Sequence, residues 1–246
     1  MHRYKLTLEY DGTRYVGWQA QPNGMSIQAV VSKALQELLG TDIEVRAASR
    51  TDAGVHALGQ VAAFTTSREL PLKAYRMGLN RFLPHDIAVI GAQEMPLDFD
   101  PRRWAKGKRY RYRISNRSVR SPLKRFTHWE LFLPLDVAAM RQAAPALLGH
   151  HDFASFRASN CQASTTDREL RKVEVTGAAG ADIEIVVEGT AFLRHMVRNI
   201  AGSLVEVGKG RQPVAWLAQV LAARDRTLAG PTAPGHGLVL EEVFYA

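Results

Sequence analysis

The stretch A-S-R-T-D-A-G-V-H-A-L-G-Q, Ala48 to Gln60, decides how this chain is read. Val45–Ala48 before the turn and Val61–Thr65 after it are β-prone, while Asp52, Ala53 and Gly54 supply turn residues between them. Asp52 is therefore expected on a loop held at both ends by strands, and a short loop on a stiff scaffold is where reactive groups are commonly placed. An aspartate two residues before a glycine ordinarily caps its own turn. Here Arg50 and His56 crowd the same loop, giving it more ionisable side chains than a plain connection needs.

Outward from this loop the hydrophobic period alternates between that of strands and that of helices. Tyr4–Tyr10 reads as a strand, and Ile27–Leu39 as a helix with apolar Ile27, Val30, Val31, Ala34, Leu35 and Leu38, Ser26 as N-cap and Gly40 past its end. With the two strands around Asp52, a helix over 72–82 and a strand over 87–91, the first half has the order β-α-β-β-α-β. After a junction containing Pro101, the spacing predicts a strand over 109–114, a helix over 137–148, strands over 170–176 and 183–188, helices over 191–207 and 214–223, and a last strand over 238–244. The fold class is α+β: two similar halves, 1–105 and 106–246, each a mainly antiparallel sheet packed against helices, ferredoxin-like or RRM-like. Sheets lying side by side would leave a central cleft, a common place for a substrate groove.

A chain of 246 residues can bury a substantial core. Its 46% apolar content places it among globular proteins rather than disordered ones. The formal net charge of +8 favours a polyanionic partner. Cys161 is the single cysteine, which excludes an intrachain disulfide and a cysteine-based zinc site and suits a reducing compartment. No secretory leader pattern and no apolar run of about 18 residues is present, so a cytoplasmic protein without a membrane partner is expected.

Two further elements carry candidate residues. On the strand K-R-Y-R-Y-R-I, Lys108 to Ile114, side-chain alternation puts Tyr110, Tyr112 and Ile114 on one face and Arg109, Arg111 and Arg113 on the other. Half-buried tyrosines and solvated arginines are the ordinary reading, but the pattern also suits single-stranded RNA. A base stacked on an aromatic ring contributes about 1 to 3 kcal/mol while cations such as Arg109 track phosphates. In the helix over 191–207, Met196, Ile200 and Leu204 should face the core, with Arg194 and Arg198 on another side.

The Asp52 segment, with four further blocks in order, Y-D-G-T-R-Y-V-G-W-Q at Tyr10–Gln19, K-R-Y-R-Y-R-I at Lys108–Ile114, D-F-A-S-F-R at Asp152–Arg157 and F-L-R-H-M-V-R-N-I at Phe192–Ile200, resembles the TruA family of tRNA pseudouridine synthases. The resemblance covers almost the whole chain and departs visibly at Ala57–Leu58. It implies isomerisation of uridine to pseudouridine at positions 38, 39 and 40 of the tRNA anticodon stem-loop, by a homodimer in which one tRNA spans both subunits. Asp52 is then catalytic, Tyr110 stacks on the target uracil, and Arg198 holds the Asp52 carboxylate by charge-assisted hydrogen bonds. Arg50 fills the space left by the extruded base or binds a phosphate.

The reaction breaks N1–C1′, turns the uracil and bonds C5 to C1′ with no redox change or external reactant, so no cofactor is expected. A carboxylate can serve as nucleophile on sugar or ring, or as base at C2′. His150, His151, His195 and His236 do not have metal-ligand spacing, and no metal is expected. Gly177–Ala181 lacks the lysine and following helix of a phosphate loop and reads as a hairpin turn. Trp18 reads as core, 157–172 as a mobile polar loop and 117–125 as a basic one. Competing classes are a non-catalytic RNA-binding module and a metal-dependent nucleic-acid hydrolase, the latter sensitive to chelators.

Overall fold

The computed structural model describes residues 1–245. The chain runs through β1 (His2–Tyr10), α1 (Ile27–Leu39), β2 (Arg46–Ala47), β3 (His56–Thr66), β4 (Ile87–Met95), β5 (Gly107–Ser115) and β6 (Trp129–Glu130). It continues through α2 (Val137–Ala143), β7 (Gly149–Asp152), β8 (Asp167–Gly177), β9 (Asp182–Gly189), α3 (Met196–Gly208), α4 (Trp216–Ala223) and β10 (Leu238–Phe244). It divides into two compact units, Met1–Lys106 with the segment from Val239, and Gly107–Leu238. Each is α+β.

In the first unit β1 lies between β4 and β3, antiparallel to both, and β2 adds to β3 at Arg46↔Ala63 and Ala47↔Ala62. This is the ferredoxin-like strand order. Alternation buries Tyr4, Leu6, Leu8 and Tyr10 on one face of β1, with Tyr4 opposite Phe64 and Leu6 opposite Ala62. The helix α1 has the limits its sequence announces. The Ser26 hydroxyl accepts from the Ala29 N–H at 3.2 Å, and Gly40 ends the helix at φ 74°, a left-handed conformation that glycine adopts without a Cβ clash.

The helix expected over 72–82 is largely a wide π turn, Ala74–Gly78, followed by a 3-10 turn, Leu79–Arg81. Side chains compete with the regular ladder here. The Tyr75 ring is fixed 4.4 Å from Tyr4 and 5.4 Å from Phe64, and the Asn80 amide donates to the Arg76 and Val89 carbonyls while accepting from the Val89 N–H.

The last strand differs from expectation in its partner, not its limits. Its Val239 and Leu240 pair in parallel with His56 and Ala57 of β3, so it adds to the first unit's sheet rather than standing in the second half of the chain.

In the second unit the order is β5-β9-β8-β7, antiparallel throughout, with β6 parallel to β5. The turn at 177–181 joins β8 to β9 as a hairpin. The helix expected over 137–148 is α-helical only to Ala143 and then tightens into a 3-10 turn through Pro145, which has no N–H for the α ladder. Part of the segment read as a mobile loop, from Asp167 on, is strand, because β7 pairs with it at Gly149↔Leu170 to Asp152↔Asp167. The α3 helix starts at Met196, not Ala191. Its N-cap His195 is left-handed (φ 62°), and the Arg194 carbonyl accepts from the Ala158 N–H, so Arg194 stands before the helix. Met196, Ile200 and Leu204 are buried as their spacing requires.

Replacing the N-cap by Ser26→Ala should lower the unfolding free energy by about 1 kcal/mol. Urea denaturation with an unchanged midpoint would show that the cap does not hold α1.

Candidate active site

The Asp52 loop rests on the backbone of the opening block. A Cβ on Gly12 would fall 2.0 Å from the Val55 carbonyl oxygen, and one on Gly17 (φ 111°) would fall 2.6 Å from the Thr51 oxygen and 3.0 Å from the Asp52 carbonyl carbon. Only residues without side chains allow this approach. Hydrogen bonds secure it: Trp18 N–H donates to Thr51 O at 3.0 Å, Gly54 N–H to Tyr15 O at 3.3 Å, and Val55 N–H closes the turn onto Asp52 O at 3.2 Å. Below the loop, buried Thr51 Oγ1 lies 2.8 Å from the Tyr10 hydroxyl, and the Gln60 amide donates to Ser49 O at 2.8 Å.

The loop exit is also fixed. The Gly12 N–H donates to His56 Nδ1 at 3.1 Å, and the same ring nitrogen lies 3.1 Å from an Asp11 carboxylate oxygen. Burial by itself would raise the Asp11 pKa, but the Thr13 hydroxyl and N–H, together with His56, outweigh it and hold the carboxyl below its ordinary value. The last strand flanks the exit, and a Cβ on Gly59 would fall 2.4 Å from Glu241 O. Of the loop's ionisable groups, Arg50 is exposed, Asp52 half-buried and His56 buried. The result is a carboxylate on a backbone that cannot drift, which suits a group that must meet one atom of a substrate.

In the second unit, β5 alternates as expected. Tyr110, Tyr112 and Ile114 are buried, and the three arginines are half-exposed on the other face. The Tyr110 ring stands edge-on to Phe192 at 5.0 Å. The arginine face is less basic than the strand alone suggests. Arg109 lies opposite Glu188 and pairs with it at 3.1 Å, Arg113 lies opposite Glu184 at 3.9 Å, and Arg111 also bonds Glu184. Such part-exposed pairs contribute about 0.2 to 1 kcal/mol each, but they offset the field that the strand would otherwise present.

Arg198 sits in the first turns of α3 and is half-buried. Its Nε donates to the Ala233 carbonyl at 2.7 Å, and its own carbonyl accepts from the Ala233 N–H at 3.2 Å. The Tyr112 hydroxyl donates to the next carbonyl, Pro234 O, at 2.8 Å. Burial drives the Tyr112 pKa up, against the opposing charge of Arg198, so the phenol stays protonated and a donor.

Trp18 is a core residue at 1% exposure, 6.3 Å from the Tyr10 ring. Among the described residues no three His, Cys, Asp or Glu side chains are grouped to hold a metal, and no helix is long and apolar enough to cross a membrane. Sequence reading did not anticipate the roles of Gly12, Gly17 and Tyr10. The available signal was two glycines inside a block already noted for its resemblance.

Residues 7–102 and 143–246 match the family described as tRNA pseudouridine synthase, and the chain belongs to that family. A relative from Myxococcus xanthus, tRNA pseudouridine synthase A, is 65% identical over 245 residues, covering 100% of this chain and 92% of the relative. Relatives of the same name from Pelobacter propionicus and Geotalea uraniireducens are 52% and 51% identical, each with 100% of both chains covered.

Gly17→Ala should displace the loop and reduce turnover by at least about tenfold, since misplacement of about 1 Å can cost about a hundredfold. Gly180→Ala, at a left-handed position (φ 79°) with nothing within 4 Å, carries the backbone strain without the clash and should leave turnover intact. Equal losses in both would show that conformation, not the seating of the loop, is at stake.

Proposed function

We propose that this chain isomerises uridine to pseudouridine at positions 38, 39 and 40 of the tRNA anticodon stem-loop, with Asp52 as the catalytic carboxylate. The observation that carries the reading is the Asp52 loop itself, seated on two glycines and closed by backbone hydrogen bonds, in a chain belonging to the tRNA pseudouridine synthase family. The reaction breaks N1–C1′ and forms C5–C1′ on the same uracil, releasing the C5 proton to solvent while N1 takes up one proton. A carboxylate is sufficient as nucleophile or base, and atoms balance without a cofactor.

A base in a stacked stem must be extruded before its C1′ can be reached. Tyr110 receives the uracil; because the residue is only 6% exposed, Phe192 at its ring edge has to give way as the base enters. Arg50, exposed on the Asp52 loop, fills the vacated stack or binds a phosphate. The family resemblance gives Arg198 the task of keeping the carboxylate ionised and oriented. Arg109 turns to RNA phosphate to the extent that Glu188 releases it. The enzyme acts in the cytoplasm as a homodimer, one tRNA spanning both subunits.

With an unmodified tRNA carrying uridines at 38 to 40, wild type should yield pseudouridine at those positions. Asp52→Asn should yield none, with tRNA affinity within a few-fold. Active Asp52→Asn, or a parallel collapse of affinity, would contradict the assignment.

The +8 charge predicts a steep salt dependence. For about six to ten phosphate contacts, affinity should fall by about 10³ to 10⁵ between about 50 and 200 mM salt. A flat profile would rule out phosphate contacts as the main source of affinity.

A further inference from the structure

The segment from Gly230 to Pro234 is a strap laid across α3 and held more tightly than a connection requires. A Cβ on Gly202 would fall 1.7 Å from the Pro231 carbonyl oxygen, and one on Gly230 would fall 2.7 Å from the Ser203 Cα, so helix and strap meet backbone to backbone. A side-chain network locks the contact. Asn199, fully buried, accepts through Oδ1 from the Thr232 hydroxyl at 2.7 Å and from Arg226 Nη2 at 3.2 Å, and Arg226 Nη2 also reaches Thr232 Oγ1 at 3.1 Å. The Asn199 amide nitrogen is anchored to Phe156 O at 2.7 Å, and the Ser203 hydroxyl accepts from the Gly230 N–H at 2.9 Å. The strap residue next to Thr232 is Ala233, whose carbonyl takes the Arg198 Nε–H and whose N–H returns a bond to the Arg198 carbonyl.

A guanidinium is planar, so committing Nε to an immobile acceptor fixes the plane and leaves the Nη end facing one direction. We propose that the strap is a positioning device for Arg198, and that Arg226 and Thr232 are positioning residues for the isomerisation although neither touches substrate. The sequence R-T-L-A-G-P-T-A-P, Arg226 to Pro234, is short of apolar anchors. It is ordered by polar contacts whose geometry is transmitted to one carbonyl oxygen. This inference rests on the role proposed for Arg198.

The test measures kcat and KM for Thr232→Val and Arg226→Ala, each made in wild type and in Arg198→Lys, which keeps the charge but lacks the Nε–H. In wild type each variant should lower kcat by about tenfold to a hundredfold with KM within about twofold, the cost of a misaligned group in a formed binding site. In Arg198→Lys the same substitutions should cost less than about twofold more, because groups acting as one unit are non-additive. Wild-type kcat in both single variants, or equal losses in both backgrounds, would overturn the strap's role. Should Arg226→Ala fail to fold, Thr232→Val, which keeps the side-chain shape, decides alone. Full activity of Arg198→Lys itself would instead remove the role of the Arg198 fork on which the inference rests.

Discussion

Gly12 and Gly17 bring one stretch of backbone against another with no side chain between them, and the placement of Asp52 depends on that contact. The Thr51–Val55 turn is too short to hold its shape through packing of its own side chains, so its order comes from neighbours. Carbonyls and N–H groups of Tyr15, Trp18, Thr51 and Gly54 are satisfied across the contact, and its exit runs directly into β3 beside the last strand. Buried backbone groups that lose partners cost about 1 to 3 kcal/mol each. Any drift of the loop therefore breaks several interactions together, which makes a short turn behave as part of the sheet.

The second unit solves a similar problem with different means. A long arginine has many rotamers, and ordering one costs about 2 kcal/mol of side-chain entropy. The Ala233 carbonyl and the polar network beneath it fix Arg198 in the resting structure. Tyr112, on the same face of β5 as Tyr110, donates to the adjacent Pro234 carbonyl, so the tyrosine strand and the arginine helix share one strap. A Cβ on Gly237 would fall 2.7 Å from the Tyr112 ring, another place where a missing side chain lets two elements close up.

Local pattern carried far in this sequence where the cause was local. The limits of α1 follow from its period, Ser26 and Gly40, all readable within a few residues of the helix ends. Apolar spacing alone does not separate helix from buried turn, so it extends α3 back over Ala191–His195 and makes 72–82 a regular helix; His195 in a left-handed conformation and the Asn80 bonds are tertiary outcomes. Pairings distant in sequence were hidden. The last strand has the expected residues, yet nothing nearby in the chain shows that Val239 lies beside His56. The arginines of β5 were legible as a face, whereas Glu184 and Glu188 became their partners only once the register with β9 was known. Asp52 stood out because its loop is over-supplied with ionisable groups; its glycine seat did not, because the contact joins separate segments.

Tritium release from tRNA transcribed with uridine labelled at C5 reads the isomerisation itself, since forming the C5–C1′ bond must expel the hydrogen at C5. Incubated with this chain and no added cofactor, unmodified tRNA with uridines at 38 to 40 should release tritium to water while the RNA strand stays intact, in step with conversion at those positions. Retained tritium on a bound tRNA, or release accompanied by strand cleavage, would contradict an isomerase built on the Asp52 loop.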